Sequence, residues 1–266
     1  MDYKTALQCA ILSQEIYQGF GNIKFSEWRN TPPVLIEKGS TDTQLAILED
    51  PTTELAVVIF RGSDAEKDWN INVQFDQQAY EWTRQEKRQY REQVQKQVTD
   101  PVAEQKELVY PDAYSNPNNP VRMHSGFISA YLSVRDQIHN HVQNSSATQY
   151  RITGHSLGGA LANLCAIDLQ YNFSAKITVE AYTFGAPKVG NKAFVESYNR
   201  RVPNNWRVVN GWDVVSGLPR RWQGYRHVDE AIKLARKFTW RIITGSFEDH
   251  RIDNYVKTLK KKVGRE

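Results

Sequence analysis

The sequence predicts an α/β fold built on a mainly parallel central sheet with helices on both faces. From residue 126 onward, strand-like and helix-like patterns alternate, which is the signature of successive βα units. The strand-like runs, ELAVVIF (54–60) above all, are nearly continuous in apolar residues, as a strand covered on both faces must be. The chain has 266 residues, 40% of them hydrophobic, enough for one sizeable core.

Taken in order, residues 3–17 place Ala6, Leu7, Ala10, Ile11 and Tyr17 near one face at helical spacing, and Gly19 and Gly21 end that helix. QLAILED (44–50) and ELAVVIF (54–60) are strands joined through Pro51-Thr52-Thr53. A helix is expected from Gly126 to about His141, a strand at 149–153 and a helix at about 157–170. A strand at 177–184, a helix at 191–201 and a strand at 206–210 follow. EAIKLARKF (230–238) and RIDNYVKTLKKK (251–262) both read as helices. Cys9 and Cys165 fall in apolar helical contexts and read as small core residues. His139 and His141, on a polar helix, read as solvated.

The mean hydropathy of −0.62 is low for so complete a set of apolar strands. The stretch from Asp76 to Asn119 accounts for it. EWTRQEKRQYREQVQKQVTD has the composition of a solvated helix with a narrow stripe of Tyr90, Val94 and Val98, and a Pro/Asn-rich loop follows. This stretch, about 76–121, reads as a polar insertion within a single domain spanning 1–266.

Composition excludes several classes. Charged residues are 24% and the net charge is +4, which argues against a disordered chain and against a dedicated nucleic-acid binder. Two cysteines form no disulfide framework, and no His/Cys spacing points to a metal. No cofactor is implied and no protein partner can be inferred. No secretory signal and no apolar run of about 18 residues are visible, so a cytoplasmic protein is expected. Basic runs in PRRWQGYRH, KLARKFTWR and KTLKKKVGRE read as solvated faces; the alternative is peripheral contact with an anionic membrane surface, helped by Trp222 and Trp240.

The chemistry is carried by Gly154-His155-Ser156-Leu157-Gly158, a G-x-S-x-G run entered from a strand and left by a small-residue helix. A serine on a strained strand-to-helix turn needs glycine neighbours, and the turn exposes its hydroxyl at the helix N-terminus. There the N–H of Leu157 can donate to a developing oxyanion.

GHSLGGALA, with VVIFRGSD (57–64), HSGF (124–127), YTFGAPKVGN (182–191) and VVNGWDVVSGLP (208–219), resembles the class 3, or fungal-type, lipase family of the α/β-hydrolase superfamily. The resemblance implies the α/β-hydrolase fold with the polar insertion as an enlarged helical lid or cap. It also implies a serine carboxylic-ester hydrolase acting on acylglycerols or other long-chain esters through an acyl-enzyme. The alternative is a phospholipase A1 or galactolipase acting on polar membrane lipids; a scaffold on an inactive hydrolase fold is disfavoured by the intact candidate residues.

A serine nucleophile needs a base oriented by an acid. In this fold the partners follow in the order Ser, Asp/Glu, His, which leaves His227 and His250 as candidate bases. His250, in FEDHRIDNYV, matches the family's final Asp-His block, and His227 resembles a non-catalytic histidine after the acid block. Asp213 is the expected acid; its alternative is a turn aspartate capping local backbone. Asp249 reads as a helix N-cap. Ser63 fits the position of the second oxyanion donor beside Leu157, the alternative being a simple turn serine. His124 and His155 read as structural supports. Trp69 reads equally as a lid or acyl-contacting residue or as a half-buried tryptophan.

Overall fold

The computed structural model describes residues 1–29, 31–50, 52–63, 120–213, 215–219, 221, 224–234 and 249–264. Trp69, Trp222, Trp240 and all of the polar insertion except Pro120 and Val121 lie outside them. The chain opens with helix α1 (Tyr3–Glu15), capped by the Asp2 carboxylate accepting from the N–H groups of Lys4 and Thr5. Strands β1 (Val34–Lys38), β2 (Thr43–Asp50) and β3 (Leu55–Phe60) follow. Then come α2 (Ser125–Asn144), β4 (Gln149–His155), α3 (Leu157–Phe173), β5 (Thr178–Phe184) and the two-residue β6 (Gly190–Asn191). Helix α4 (Lys192–Arg201), β7 (Asn205–Val209), β8 (Tyr225–Arg226), β9 (Ala231–Lys233) and α5 (Ile252–Val263) complete the order.

Among the described residues, seven strands form one sheet in the order β1-β2-β3-β4-β5-β7-β9. β2 is antiparallel to its neighbours β1 and β3, and β3, β4, β5, β7 and β9 run parallel. The period of two along each strand separates two cores. Ala56, Val58 and Phe60 pack with residues of α2, α3 and α4. Val57 and Ile59 face the other side with Leu12 and Ile16, and Phe184 and Val208 meet Ala10, Tyr255 and Leu259 there. Helices α1 and α5 therefore cover one face together. Among the described residues no helix is long and apolar enough to cross a membrane.

Three readings change. Residues 231–233 are strand, paired parallel to β7 with Ala231 opposite Arg207, where a helix was expected over 230–238. A short run has no decisive period, and the open N–H and C=O groups of β7 take the partner that tertiary structure brings. The edge strand β1, with Val34 exposed, was not anticipated. The histidines of α2 are not solvated. His139 Nε2 donates to Asp168 Oδ2 at 2.7 Å and His141 Nε2 lies 3.1 Å from Glu49.

Asp168 is fully buried in α3. Its carboxylate accepts from Tyr131 Oη at 2.6 Å, Arg135 Nε at 3.1 Å, His139 Nε2 and Asn172 Nδ2 at 2.8 Å. A buried ion of this kind is tolerated only while its partners are present. We expect Asp168→Ala, which strands Arg135 and the Tyr131 hydroxyl, to destabilise the fold by about 3–5 kcal/mol. In urea titration the midpoint should fall accordingly; an unchanged midpoint would show that the network contributes nothing net.

Candidate active site

The parallel strands end on one side of the sheet, where loops converge. At the end of β4 the backbone turns sharply: Ser156 has φ +58° and ψ −128°. Such a conformation costs a non-glycine residue about 1–3 kcal/mol and must be imposed by its surroundings. The Ser156 N–H donates to Phe184 O at 2.9 Å, and the Gly159 N–H to Ser156 O at 2.9 Å, so sheet and helix grip the residue from both sides. The glycines let α3 approach. A Cβ on Gly154 would lie 2.4 Å from the Gly158 main chain, and one on Gly158 would lie 2.3 Å from Phe60 O. The latter contact sets α3 against the end of β3, from which the chain runs on to Ser63. Leu157 is the first residue of α3 and Ser63 is half-buried.

Asp213 follows β7 and is buried. Its carboxylate accepts from the N–H groups of Val215 (2.9 Å) and Ser216 (3.3 Å) and from the Tyr255 hydroxyl. Its two oxygens lie 3.0 and 2.9 Å from His250 Nδ1. A carboxylate here can only accept, so His250 Nδ1 carries the proton and Nε2 is left with a lone pair. One carboxylate thus both caps its own turn and lies within hydrogen-bond reach of a histidine. Gly185 (φ +59°) leaves room for the pair; its Cβ would fall 2.5 Å from Asp213 Oδ2 and 2.9 Å from His250 Nδ1.

His227 is elsewhere. Its Nε2 bonds to Ser216 O, steadying the turn whose N–H reaches Asp213. Asp249 is not an N-cap, because α5 starts after Arg251 with no side-chain cap. The Asp249 carboxylate accepts from the Trp212 N–H at 3.0 Å and its carbonyl from Asn210 Nδ2 at 3.2 Å, tying the His250 segment to the acid loop. His124 stacks on Phe127 at 4.2 Å, and its Nδ1 has no partner among the described residues. Its ring contacts are to Phe127 and Tyr225. The ring centroid of His155 lies 4.5 Å from that of His250. Tyr17, Gly185 and Tyr255 were missed in the sequence. The spacing of His250 and Tyr255, just over one helical turn, was the available signal for Tyr255. Among the described residues no cluster of three or more His, Cys, Asp or Glu could hold a metal.

Three histidines are forced neutral by burial: His155 and His227 are pushed down to about 3 and His124 to about 4. Unfolded, each titrates near 6.5. The unfolded chain then binds protons that the native state refuses, so stability is full above pH 6.5 and drains as pH falls toward those depressed values. We expect the urea midpoint to drop steeply between pH 6.5 and 4.5, with a slope approaching about 4 kcal/mol per pH unit. A midpoint constant from pH 7 to 5 would contradict this.

The profile of the family described as lipase (class 3) matches residues 57–222, more than half of the chain. A lipase of Caenorhabditis elegans is 40% identical over 102 residues, 35% of this chain and 29% of the relative. A secreted mono- and diacylglycerol lipase of Malassezia globosa is 31% identical over 164 residues, 59% of this chain and 51% of the relative. The chain thus spans about half, or less, of these relatives' length. The crystal structure of a lipase from Rhizopus microsporus var. chinensis superposes with a TM-score of 0.64 at 20% identity, covering 93% of this chain and 83% of that one. That likeness agrees with an α/β-hydrolase architecture. The profile match, running from β3 through the serine turn to beyond Asp213, shows that the chain belongs to the class 3 lipase family.

Proposed function

We propose that this protein is a serine carboxylic-ester hydrolase of lipase type, cleaving acylglycerols or other long-chain esters through an acyl-enzyme. One observation carries the proposal: a serine held at φ +58° on a strand-to-helix turn, whose neighbour His155 lies 4.5 Å, ring to ring, from a histidine that turns Nδ1 to a buried aspartate. That arrangement leaves the His250 Nε2 lone pair as the acceptor for a hydroxyl proton.

In the proposed cycle His250 takes the Ser156 proton as Oγ attacks the ester carbonyl. Asp213 holds the imidazole in its tautomer and stabilises the imidazolium that forms. The oxyanion is met by the N–H of Leu157, at the positive end of α3, and by Ser63. His250 then protonates the departing alcohol. Water, deprotonated in the same way, releases the acid. The name of the Malassezia relative supports mono- and diacylglycerols as a starting substrate class. We read 1–266 as one hydrolase unit.

Compartment and surface belong to the proposal as well. Two buried, unpaired cysteines support a reducing, cytoplasmic setting, although the Malassezia relative is named as secreted. Exposed Lys257, Lys260 and Lys261 on α5 support peripheral contact with an anionic surface.

Ser156→Ala should lose fluorophosphonate labelling and about 10⁴–10⁶ in kcat while keeping the wild-type circular dichroism spectrum. Full activity in a clean preparation would overturn the mechanism. Ser63→Ala removes a hydroxyl but keeps the N–H, so we expect a loss of at most about 10²–10³ in kcat with KM little changed. A wild-type rate would assign the oxyanion to main chain alone. A substrate panel of triacylglycerol, diacylglycerol, phosphatidylglycerol and galactolipid separates the acylglycerol reading from the polar-lipid alternative.

A further inference from the structure

We infer that His155 is a positioning residue for the base: it joins the serine turn to the main chain of His250, and Tyr17 fixes it in the one tautomer that can do so. The inference rests on the role proposed above for His250. The Nε2 of His155 lies 2.7 Å from the carbonyl oxygen of His250. A carbonyl only accepts, so Nε2 bears the proton. Nδ1 is then a bare acceptor, and the Tyr17 hydroxyl, 3.0 Å away, donates to it. Every hydrogen-bonding atom of the ring is committed, and each bond has one polarity.

The location of these bonds gives them their meaning. His250 is helical but is separated from α5 by the bend at Arg251, so the α5 ladder does not hold its backbone. Its segment is tied to the acid loop through Asp249, by Asn210 Nδ2 and by the Trp212 N–H. From the serine side, a tie comes from His155, the residue next to Ser156. The same ring lies 4.5 Å from the His250 ring at 33°, with Tyr17 and Tyr255 each edge-on at 6.0 Å. Tyr255 in turn donates to Asp213. One directed chain therefore runs from Tyr17 through His155 to the backbone of His250, while the ring of His250 runs on to Asp213.

Tyr17 extends the chain to the other side of the site. A Cβ on Gly62 would lie 2.2 Å from the Tyr17 hydroxyl and 2.7 Å from His155 O, so the strand end leading to Ser63 is seated on this same pair. The ring must also be neutral. A charge 4.5 Å from His250 would oppose the imidazolium formed during catalysis, and burial keeps His155 uncharged, down to about 3.

The test uses the full chain with His155→Gln, His155→Leu and Tyr17→Phe, read by kcat, KM and the rate of fluorophosphonate labelling. Glutamine places an N–H near the position of Nε2 and stays neutral; leucine fills space without a donor. A base displaced by a fraction of an ångström to an ångström loses about 10²-fold in rate. We expect His155→Leu to lose about that much in kcat and in labelling with KM within about twofold, and His155→Gln to recover at least about tenfold of it. Tyr17→Phe, which leaves the Nε2 bond in place, should cost less than His155→Leu. A folded His155→Leu with kcat within twofold of wild type overturns the inference, as does a folded His155→Gln no more active than His155→Leu. Should the leucine variant fail to fold, His155→Gln and Tyr17→Phe decide it: wild-type KM with reduced kcat in Tyr17→Phe supports the role, and wild-type kcat in Tyr17→Phe overturns it. Wild-type protein that never labels at Ser156 would instead overturn the serine-hydrolase reading beneath it.

Discussion

The turn at Ser156 is the constraint from which the rest of the site follows. A serine at φ +58° relaxes unless sheet and helix both hold it. The β4–β5 ladder does so from one side, through the bond from Ser156 N–H to Phe184 O, and α3 from the other. For α3 to begin at once, Gly154 and Gly158 must lack side chains, and the approach of Gly158 to Phe60 O puts the end of β3 alongside. Fixing one residue's dihedrals thereby fixes the relation of three strands and a helix. The strain is small against the apolar area that the largely buried α3 contributes to the core.

Electrostatics around the turn is arranged by withholding charge. His155 and His227 each spend a ring N–H on a main-chain carbonyl, of His250 and Ser216 respectively, and each is kept neutral by burial. They act as donors of fixed direction, which an amide could also supply but a lysine could not without introducing a buried cation. Asp213 and His250 are joined by a directed hydrogen bond, with main-chain and tyrosine donors filling the remaining lone pairs of the carboxylate. A carboxylate held by several donors stays in place without water to solvate it.

The elbow, the parallel strands and the helices around them were legible in the sequence because each has a strong local cause: glycines where main chains meet, continuous apolar runs where both faces are covered, and helical spacing in residues 3–17. Asp213 and His250 were found as candidates because their order along the chain and their family blocks narrowed the choice to a few residues. What could not be read is what depends on distant partners. Tyr17, His155 and His250 meet across separations of 138 and 95 residues, and no local pattern announces that. Residues 231–233 became strand because β7 offered an edge, not because of their own preference. His139 and His141 looked like solvated residues on a polar helix; only the position of Asp168, 29 residues from His139, shows why His139 is held.

The pairing of α1 with α5 on one face has a consequence for biosynthesis. The serine and its turn are made about a hundred residues before Tyr255. At about 5–20 residues per second, the ribosome leaves that turn without His250 and Tyr255 for several seconds or more. The Gln14–Asp253 bond, across 239 residues, forms only when the last helix has emerged and docked beside the first. On the function proposed above, the nascent serine has no base to take its proton until the α5 segment has emerged and docked beside α1.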